Sequence, residues 1–412
     1  MNKKLGVSTL VILKWFVISS LVGITMGCLS AFFLKSLEVV TLIRLKNNWL
    51  IYGLPIIGMF FMWLYQRYGD NSAKGNNLII AAANGSTENI PWKMLPLTLF
   101  GTITTHLFGG SVGREGTAVQ MGGVVAEYIG KWWHLTNKER QLALICGISA
   151  GFSSVFGTPL AGGIFALEVL MVGQVKSYGL GPSMLSAFIA NAVTTCFSIS
   201  HSHYVITEVP KQNLYLIGKI IFCASCFGLV ARLFSASIRY LKNCYARLIP
   251  NAIYRIGFGA AVVVLLSLIY GTNRYLGLSL PLLTDAFSGE VRPFDFLNKL
   301  IFTVLSLGAG FQGGEVTPLF EIGATLGSHL GDILGIPAGF LAALGFIGVF
   351  SGATNTPIAC FIMGIELFGS ELASYLFISS IVSYLFSGSK GIYQAQKIAG
   401  GKLPMFLEYH HR

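Results

Sequence analysis

The feature that most constrains this chain is a series of long stretches without a single Asp, Glu, Lys or Arg. They run Trp15–Leu34, Leu50–Gln66, Met94–Gly113, Gln141–Leu167, Ser177–Thr207, Ile256–Asn273, Leu300–Gly314, Ile333–Ile365 and Leu372–Ser389. A helix that crosses a bilayer needs roughly 20 apolar residues, with a range of about 17–25. Most of the stretches reach that length, and two are long enough for a pair of helices. Charged residues make up only 11% of the chain and apolar residues 53%, whereas an ordinary soluble domain is about 25% charged. So little charge cannot cover a soluble surface for 412 residues. The same balance excludes a disordered chain, and the period-two alternation of an outer-membrane barrel is absent. The expected class is an all-α polytopic membrane protein.

Lys3 and Lys4 precede an apolar run too long for a signal h-region and without a small-residue cleavage site, so that run reads as the first membrane helix. The seven Cys lie in apolar stretches and are odd in number, which argues against a disulfide framework. Cys223 and Cys226 form a lone CxxC inside such a stretch and read as packing residues. The net charge of +11 sits in loops, notably at Arg239, Lys242, Arg247 and Arg255, so it is no nucleic-acid signal. Positive-inside logic puts that loop and the Lys3–Lys4 end in the cytoplasm.

The chain repeats itself at an offset near 200. GSVGREGTAVQMGG at 110–123 aligns with GFQGGEVTPLFEIG at 310–323, and TPLAGGIFALE at 158–168 aligns with TPIACFIMGIE at 356–366. Two matched blocks in the same order at nearly one offset indicate a duplication. The expected organisation is a first transmembrane repeat at 1–200, a linker at 201–211 and a second repeat at 212–412, with no cytosolic regulatory domain. His201 and His203 of the linker are expected to face solvent. Duplicated halves in membrane proteins usually transport a solute at the repeat interface near the midplane. A unit with an odd number of passes would be inverted relative to its copy.

Glycine is abundant, with 49 residues. Part of it serves close helix packing, as in Gly147-xxx-Gly151 and Gly323-xxx-Gly327-xxx-Gly331. The rest interrupts helices and frees the N-terminus of the next one. Gly75-Asn76-Asn77-Leu78-Ile79, Gly113-Arg114-Glu115-Gly116-Thr117 and Gly313-Gly314-Glu315-Val316-Thr317-Pro318 each open a helix, with Pro318 suited to a first turn. Each opening presents unpaired backbone N–H groups and the positive end of a helix dipole. Several such ends aimed at one place hold an anion without a full positive charge, and so also release it.

These three openings, together with the duplication, resemble the filter motifs of the CLC family of anion channels and transporters over nearly the whole chain. The resemblance implies an inverted two-fold repeat of tilted and broken helices, and a homodimer with one pathway per subunit. Chloride-type members carry Ser where this chain has Asn76, Pro where it has Thr117, and an apolar pair where it has Glu315 and Val316. They often carry a second Glu where it has Val169. The combination resembles the fluoride/proton antiporter branch.

On that resemblance Glu115 is the gating carboxylate. Ionised it occupies the anion site, and protonated it leaves and admits the anion. Independently of the resemblance, an ionisable side chain inside a membrane segment is a functional candidate; its structural alternative, a partner for Arg114, is disfavoured because adjacent residues at a helix start diverge. Arg114 either attracts anions to the outer mouth or snorkels to the surface. Glu315 either assists the proton or turns into a polar network. Asn76 and Thr317 offer neutral donors suited to strongly hydrated fluoride, with an ordinary N-cap as the alternative for Asn76. Gly116 and Val316 contribute backbone N–H groups. Tyr393 follows Gly388–Ile392, where a last short helix is expected. It matches the family's inner Tyr, or else belongs to an aromatic belt. The symmetry of Glu168 and Glu366 favours a structural role, such as capping broken helices across the repeats. His106 reads as a hydrogen-bonded packing residue.

The function expected is export of fluoride in exchange for protons through a bacterial-type cell membrane, with no cofactor, metal or nucleic-acid partner. A passive CLC-type channel for fluoride or chloride, or a chloride/proton antiporter, is the alternative. An enzyme is disfavoured, because no clustered metal-ligand set such as HExxH is present and the GISAG match to GxSxG at 147–151 lies inside a charge-free apolar stretch. A metal-cation transporter is disfavoured by the anion-binding helix ends.

Overall fold

The computed structural model describes residues 2–399 and 402 except 176, 200, 202, 203, 205 and 207, and leaves out the side chains of 2–8. His203 therefore lies outside the described residues. Among the described residues sixteen α-helices follow one another, with one two-stranded ladder. The first eight helices are α1 (Asn2–Lys46), α2 (Leu54–Tyr68), α3 (Asn76–Ala83), α4 (Met94–Leu107), α5 (Glu115–Trp132), α6 (Asn137–Phe156), α7 (Pro159–Glu168) and α8 (Leu180–Cys196). The remainder are α9 (Leu214–Leu248), α10 (Ala252–Tyr270), α11 (Pro281–Ser288), α12 (Asp295–Ala309), α13 (Val316–Leu334), α14 (Ala338–Thr354), α15 (Pro357–Phe368) and α16 (Ala373–Phe386).

Among the described residues, four helical segments are long and apolar enough to cross a bilayer: Thr9–Lys46, Asn48–Tyr68, Leu214–Leu248 and Ala252–Tyr270. The other charge-free stretches are divided. Gln141–Leu167 becomes α6 and α7, broken at Gly157 and Thr158, and Ile333–Ile365 becomes α14 and most of α15, broken at Asn355 and Thr356. Both breaks fall just before a Pro, at Pro159 and Pro357, which starts the next helix from its first position. Interrupted backbone survives at this depth because it is buried in protein rather than exposed to lipid.

The two repeats pack by the same devices. In α5 and α6, a Cβ added at Gly122 would fall 2.0 Å from the Gly147 carbonyl oxygen; in α13 and α14, one at Gly323 would fall 2.1 Å from that of Gly345. Only hydrogen side chains allow such approach. Serines then tie α6 to α8, through Ser149 to the Ser183 carbonyl and Ser153 to the Ala187 carbonyl (both 2.8 Å). Ser379 and Ser383 of α16 likewise donate to the Leu344 and Gly348 carbonyls of α14, at 2.7 and 2.5 Å.

Glu168 and Glu366 join the repeats reciprocally. Glu168, ending α7, accepts the N–H groups of Ile358 (3.1 Å) and Ala359 (2.8 Å) at the start of α15. Glu366, near the end of α15, accepts those of Leu160 (2.9 Å) and Ala161 (2.8 Å) at the start of α7. Each carboxylate satisfies donors that a helix start leaves unpaired, as the sequence symmetry led us to expect. Phe152 stacks on Phe165 at 4.2 Å and Phe320 on Phe346 at 3.8 Å between centroids, and Phe350 links the two pairs.

The long α9 sets the direction of the molecule. With 35 residues it rises about 52 Å at 1.5 Å per residue. Near its start, Lys219 donates to the Leu334 carbonyl at the end of α13 (2.6 Å). Further along, Arg239 and Lys242 border a cavity that reaches Gly313 and Glu315 at the start of α13. Helix α13 thus runs from the middle of the protein away from the basic face.

Three expectations are corrected. Arg239, Lys242 and Arg247 lie on the last turns of α9 and Arg255 on the first turn of α10, not in a loop, because both helices extend past their apolar stretches. No helix follows Ile392 among the described residues: Tyr393 sits in irregular backbone just before a turn at 394–395, and Lys397–Ile398 (β2) pairs in parallel with Met171–Val172 (β1). The backbone here is taken up by pairing with the chain after α7, so it is not free to coil. His201 does not face solvent. It is half-buried, and a Cβ at Gly157 would fall 2.5 Å from its ring.

Candidate anion site

Three helix starts converge on one point. Gly113 and Gly314 bond each other's backbone in an antiparallel bridge, at 2.6 and 2.7 Å. This bridge brings the interruption before α5 against the interruption before α13. The approach requires glycine: a Cβ on Gly314 would lie 2.7 Å from the Gly116 nitrogen and 2.8 Å from Glu115 Oε2. The third start, α3, is turned in by Gly75, whose φ of +57° and ψ of −136° suit glycine alone. A Cβ on Gly116 would then meet Asn76 Nδ2 at 2.8 Å.

At this point sits the Glu115 carboxylate, 1% exposed. Its Oε2 accepts the backbone N–H groups of Thr317 (3.1 Å) and Arg114 (3.1 Å), and its Oε1 accepts the Thr317 hydroxyl. The carboxylate therefore lies on the opened N-terminus of α13, where helix dipole and unpaired N–H groups favour negative charge. Its contact with Arg114 is to the backbone, not the guanidinium. Val316 is buried as the first residue of α13, and Gly116 is buried on α5.

Asn76 is the first residue of α3 rather than its cap, which is Gly75 and makes no side-chain cap bond. Asn76 is 9% exposed, and its Oδ1 is buried without a hydrogen-bond partner. Tyr393 is 7% exposed and packs edge-on to Phe165 at 6.4 Å, so it is no aromatic-belt residue. Its loop is pinned from three sides. The Ile392 N–H donates to the Ala353 carbonyl (2.9 Å), the Ala395 N–H donates to Asn77 Oδ1 (3.0 Å), and Arg239 donates to the Gly391 carbonyl (2.8 Å).

A cavity of about 600 Å³ leads to the site from the basic face. Its lining includes Asn76, Gln120, Glu315 and Tyr393 together with Asp70, Lys74, Arg239, Lys242 and Arg255. Glu315 turns into this cavity, away from the hydrogen bonds of Glu115; its Oε2 is buried without a hydrogen-bond partner. Arg114 is half-buried with its Nε unpartnered. His106 is buried, with Nδ1 2.8 Å from the Thr102 carbonyl oxygen that accepts its proton. Among the described residues no group of three or more His, Cys, Asp or Glu converges as a bound metal would require. Cys223 and Cys226 are free thiols on α9.

Comparison with known proteins fits this geometry. The Voltage gated chloride channel family matches residues 57–388. The chain belongs to the CLC family. It is 42% identical over 407 residues to a "Chloride/fluoride channel protein" of Pseudomonas syringae pv. tomato, covering 97% of this chain and 88% of that one. The crystal structure of a CLC-type fluoride/proton antiporter superposes with a TM-score of 0.92 at 36% identity, covering 94% of this chain and 98% of the other. An H(+)/Cl(-) exchange transporter of Vibrio cholerae is more distant, at 25% identity over 429 residues, 96% of this chain and 88% of that one. The CLC fold, an all-α membrane architecture with an inverted two-fold repeat, is thus established, and the family is one of channels and transporters.

Several residues around the site were not singled out by sequence reasoning. Gln120 lies one turn into α5 and is held by Thr98 (3.1 Å). Asn77 holds the Tyr393 loop, and nothing short of the fold could reveal a partner 318 residues away. Lys299 and Glu321 form a fully buried ion pair at 3.0 Å. For these two a signal existed, since each is an ionisable residue in an apolar helix.

Proposed function

We propose that this chain exports fluoride from the cell in exchange for protons, with Glu115 as the gate. The observation that carries the reading is the position of the Glu115 carboxylate on the Thr317 N–H and hydroxyl and the Arg114 N–H. A small, strongly hydrated halide needs the same donors to offset its dehydration. One carboxylate and one anion therefore compete for one set of hydrogen bonds. Protonation removes the charge of Glu115 and with it the advantage of the helix start, so the side chain leaves and fluoride takes its place. Deprotonation returns the carboxylate and expels the anion. Protons and fluoride are coupled by this exclusion.

Asn76, Gly116, Val316 and Thr317 form the anion-binding set, and Tyr393 closes it from the cavity side. Lys74, Arg239, Lys242 and Arg255 draw anions into the cavity, whose low-dielectric walls focus their field. Arg114 acts on the far side, and Glu315 tunes the potential at the head of the cavity. The basic face is cytoplasmic, so the cavity collects fluoride from inside a bacterial-type cell membrane. The functional unit is a homodimer with one pathway per subunit, each built from repeats at 1–200 and 212–412 joined by 201–211. The CLC-type fluoride/proton antiporter, similar over 94% of this chain, supports the reading.

A second reading, a passive anion channel, draws on the likeness to the chloride/fluoride channel protein of Pseudomonas. Liposomes containing the purified protein separate the two. Under an imposed proton gradient an antiporter drives fluoride uphill, and Glu115→Gln abolishes that drive while leaving fluoride able to bind. Fluoride that only ever runs down its own gradient would establish the channel instead.

A further inference from the structure

Beyond Glu115, on the side away from the cavity, lies a second buried carboxylate. Glu321 is four residues after Thr317 on α13, so it stands one turn further along the same face. Because α13 points away from the basic face, Glu321 sits on the outer side of the gate. It is 0% exposed, as is Lys299 of α12, its only counter-charge within 4 Å among the described residues.

Lys299 is over-committed. Five oxygens surround its Nζ: Ser279 Oγ at 2.7 Å, Ser111 Oγ at 3.0 Å, Glu321 Oε2 at 3.0 Å, and the Gly277 and Tyr275 carbonyls at 3.1 and 3.3 Å. An ammonium has three protons to donate. The close pair with Glu321 is therefore an electrostatic contact with no well-directed hydrogen bond, and Glu321 Oε1 has no partner at all. A buried carboxylate with open lone pairs is costly unless it takes up a proton or water. A carboxylate evolved only to neutralise Lys299 would be expected to accept its hydrogen bonds.

The surroundings tie this pair to the gate. Ser111, which Lys299 holds, is also bonded to Thr303 (3.0 Å) and Ser306 (3.1 Å) of α12, and it begins the short segment leading to Arg114 and Glu115. The charged groups within electrostatic reach of Glu321 are Lys299, Glu115 and Arg114. Arg44 at the end of α1 acts on Lys299, and Tyr204 acts on Arg114. Helix α14, packed along α13, carries no ionisable side chain, and Asp285 of α11 is taken up by Arg274 at 2.6 Å.

We infer that Glu321 is a proton-transfer residue on the outer limb of the pathway, receiving protons from outside and passing them to Glu115. In the step, which a water entering between the two carboxyls relays, the O–H bond of protonated Glu321 breaks and an O–H bond forms on Glu115. Glu115 becomes neutral and lets go of Thr317, while Glu321 becomes a carboxylate stabilised by Lys299 until the next proton arrives. No other reactant is consumed. The inference rests on the antiport reading.

The test uses the full chain in liposomes, with proton and fluoride fluxes recorded together and fluoride binding measured by calorimetry in detergent. Glu321→Gln keeps the shape and removes the proton-accepting charge. The expected result is a fall of at least about tenfold in proton-driven fluoride flux, with fluoride affinity within about twofold of the parent and Glu321→Asp restoring part of the flux. Because an unpaired Lys299 is itself a threat to folding, the double variant Glu321→Gln, Lys299→Met is measured beside it and is expected to show the same loss. Undiminished coupling in Glu321→Gln would overturn the inference. So would equal losses of flux, affinity and Tm in the Asp and Gln variants, which would mark Glu321 as structural. A parent protein that moves no protons at all would instead remove the antiport reading, and this one with it.

Discussion

Replacing Thr317 with Val tests the competition at the centre of the proposed mechanism. Val keeps the β-branched shape and the backbone N–H but deletes the hydroxyl that donates to Glu115. A hydrogen bond to a charged group contributes about 1.5–3 kcal/mol, equivalent to roughly a 10- to 150-fold change in affinity. If fluoride takes over this donor when Glu115 leaves, Thr317→Val weakens the bound anion by that amount. It weakens the competing carboxylate as well, so in the parent background the two losses largely cancel. In a Glu115→Gln background only the anion feels the loss. Calorimetric fluoride titrations of Thr317→Val in both backgrounds should therefore differ: a small change in the parent, and roughly a 10- to 150-fold weakening beside Glu115→Gln. Equal losses in the two backgrounds would refute competition for one hydroxyl, and no loss in either would remove Thr317 from the anion site.

Asn76→Ser should lower the fluoride-to-chloride flux ratio, because Asn76 is buried, lines the cavity and lies beside Gly116; side-by-side liposome fluxes with the two halides decide it, and an unchanged ratio would leave Asn76 a bystander. Glu168→Ala and Glu366→Ala each leave two helix-start N–H groups without their carboxylate, so each should cost about 1–2 kcal/mol of stability, read as a lower Tm with proton coupling retained. Loss of coupling in one of the pair alone would give that residue a transport role.

Much of the site can be read along the chain because the physics is local. A glycine-rich interruption before an apolar run exposes helix-start N–H groups wherever it occurs, and Gly75, Gly113 and Gly313 each precede one. The duplicated blocks place equivalent glycines and equivalent carboxylates in both repeats, so Glu168 and Glu366 were legible as partners in a symmetric cap. Expectations failed where a long-range contact overrode the local pattern. Gly388 and Gly391 precede Ile392 as in a helix opening, yet the backbone that follows pairs with Met171 and Val172. His201 lies in a polar linker, yet Gly157 gives its ring a place to pack.

Membrane class, duplication, interrupted helices and an acid at one of the interruptions are properties of neighbouring residues, and the sequence alone determined them. Which donors Glu115 accepts, the cavity leading to it, and the pairing of Lys299 with Glu321 were decided only by the tertiary structure. The physical reason is distance along the chain. Glu115 and Thr317 are 202 residues apart and Asn77 and Ala395 are 318 apart. Hydrogen bonds reach about 3 Å, so contacts of that separation exist only once the inverted repeats have closed on one another.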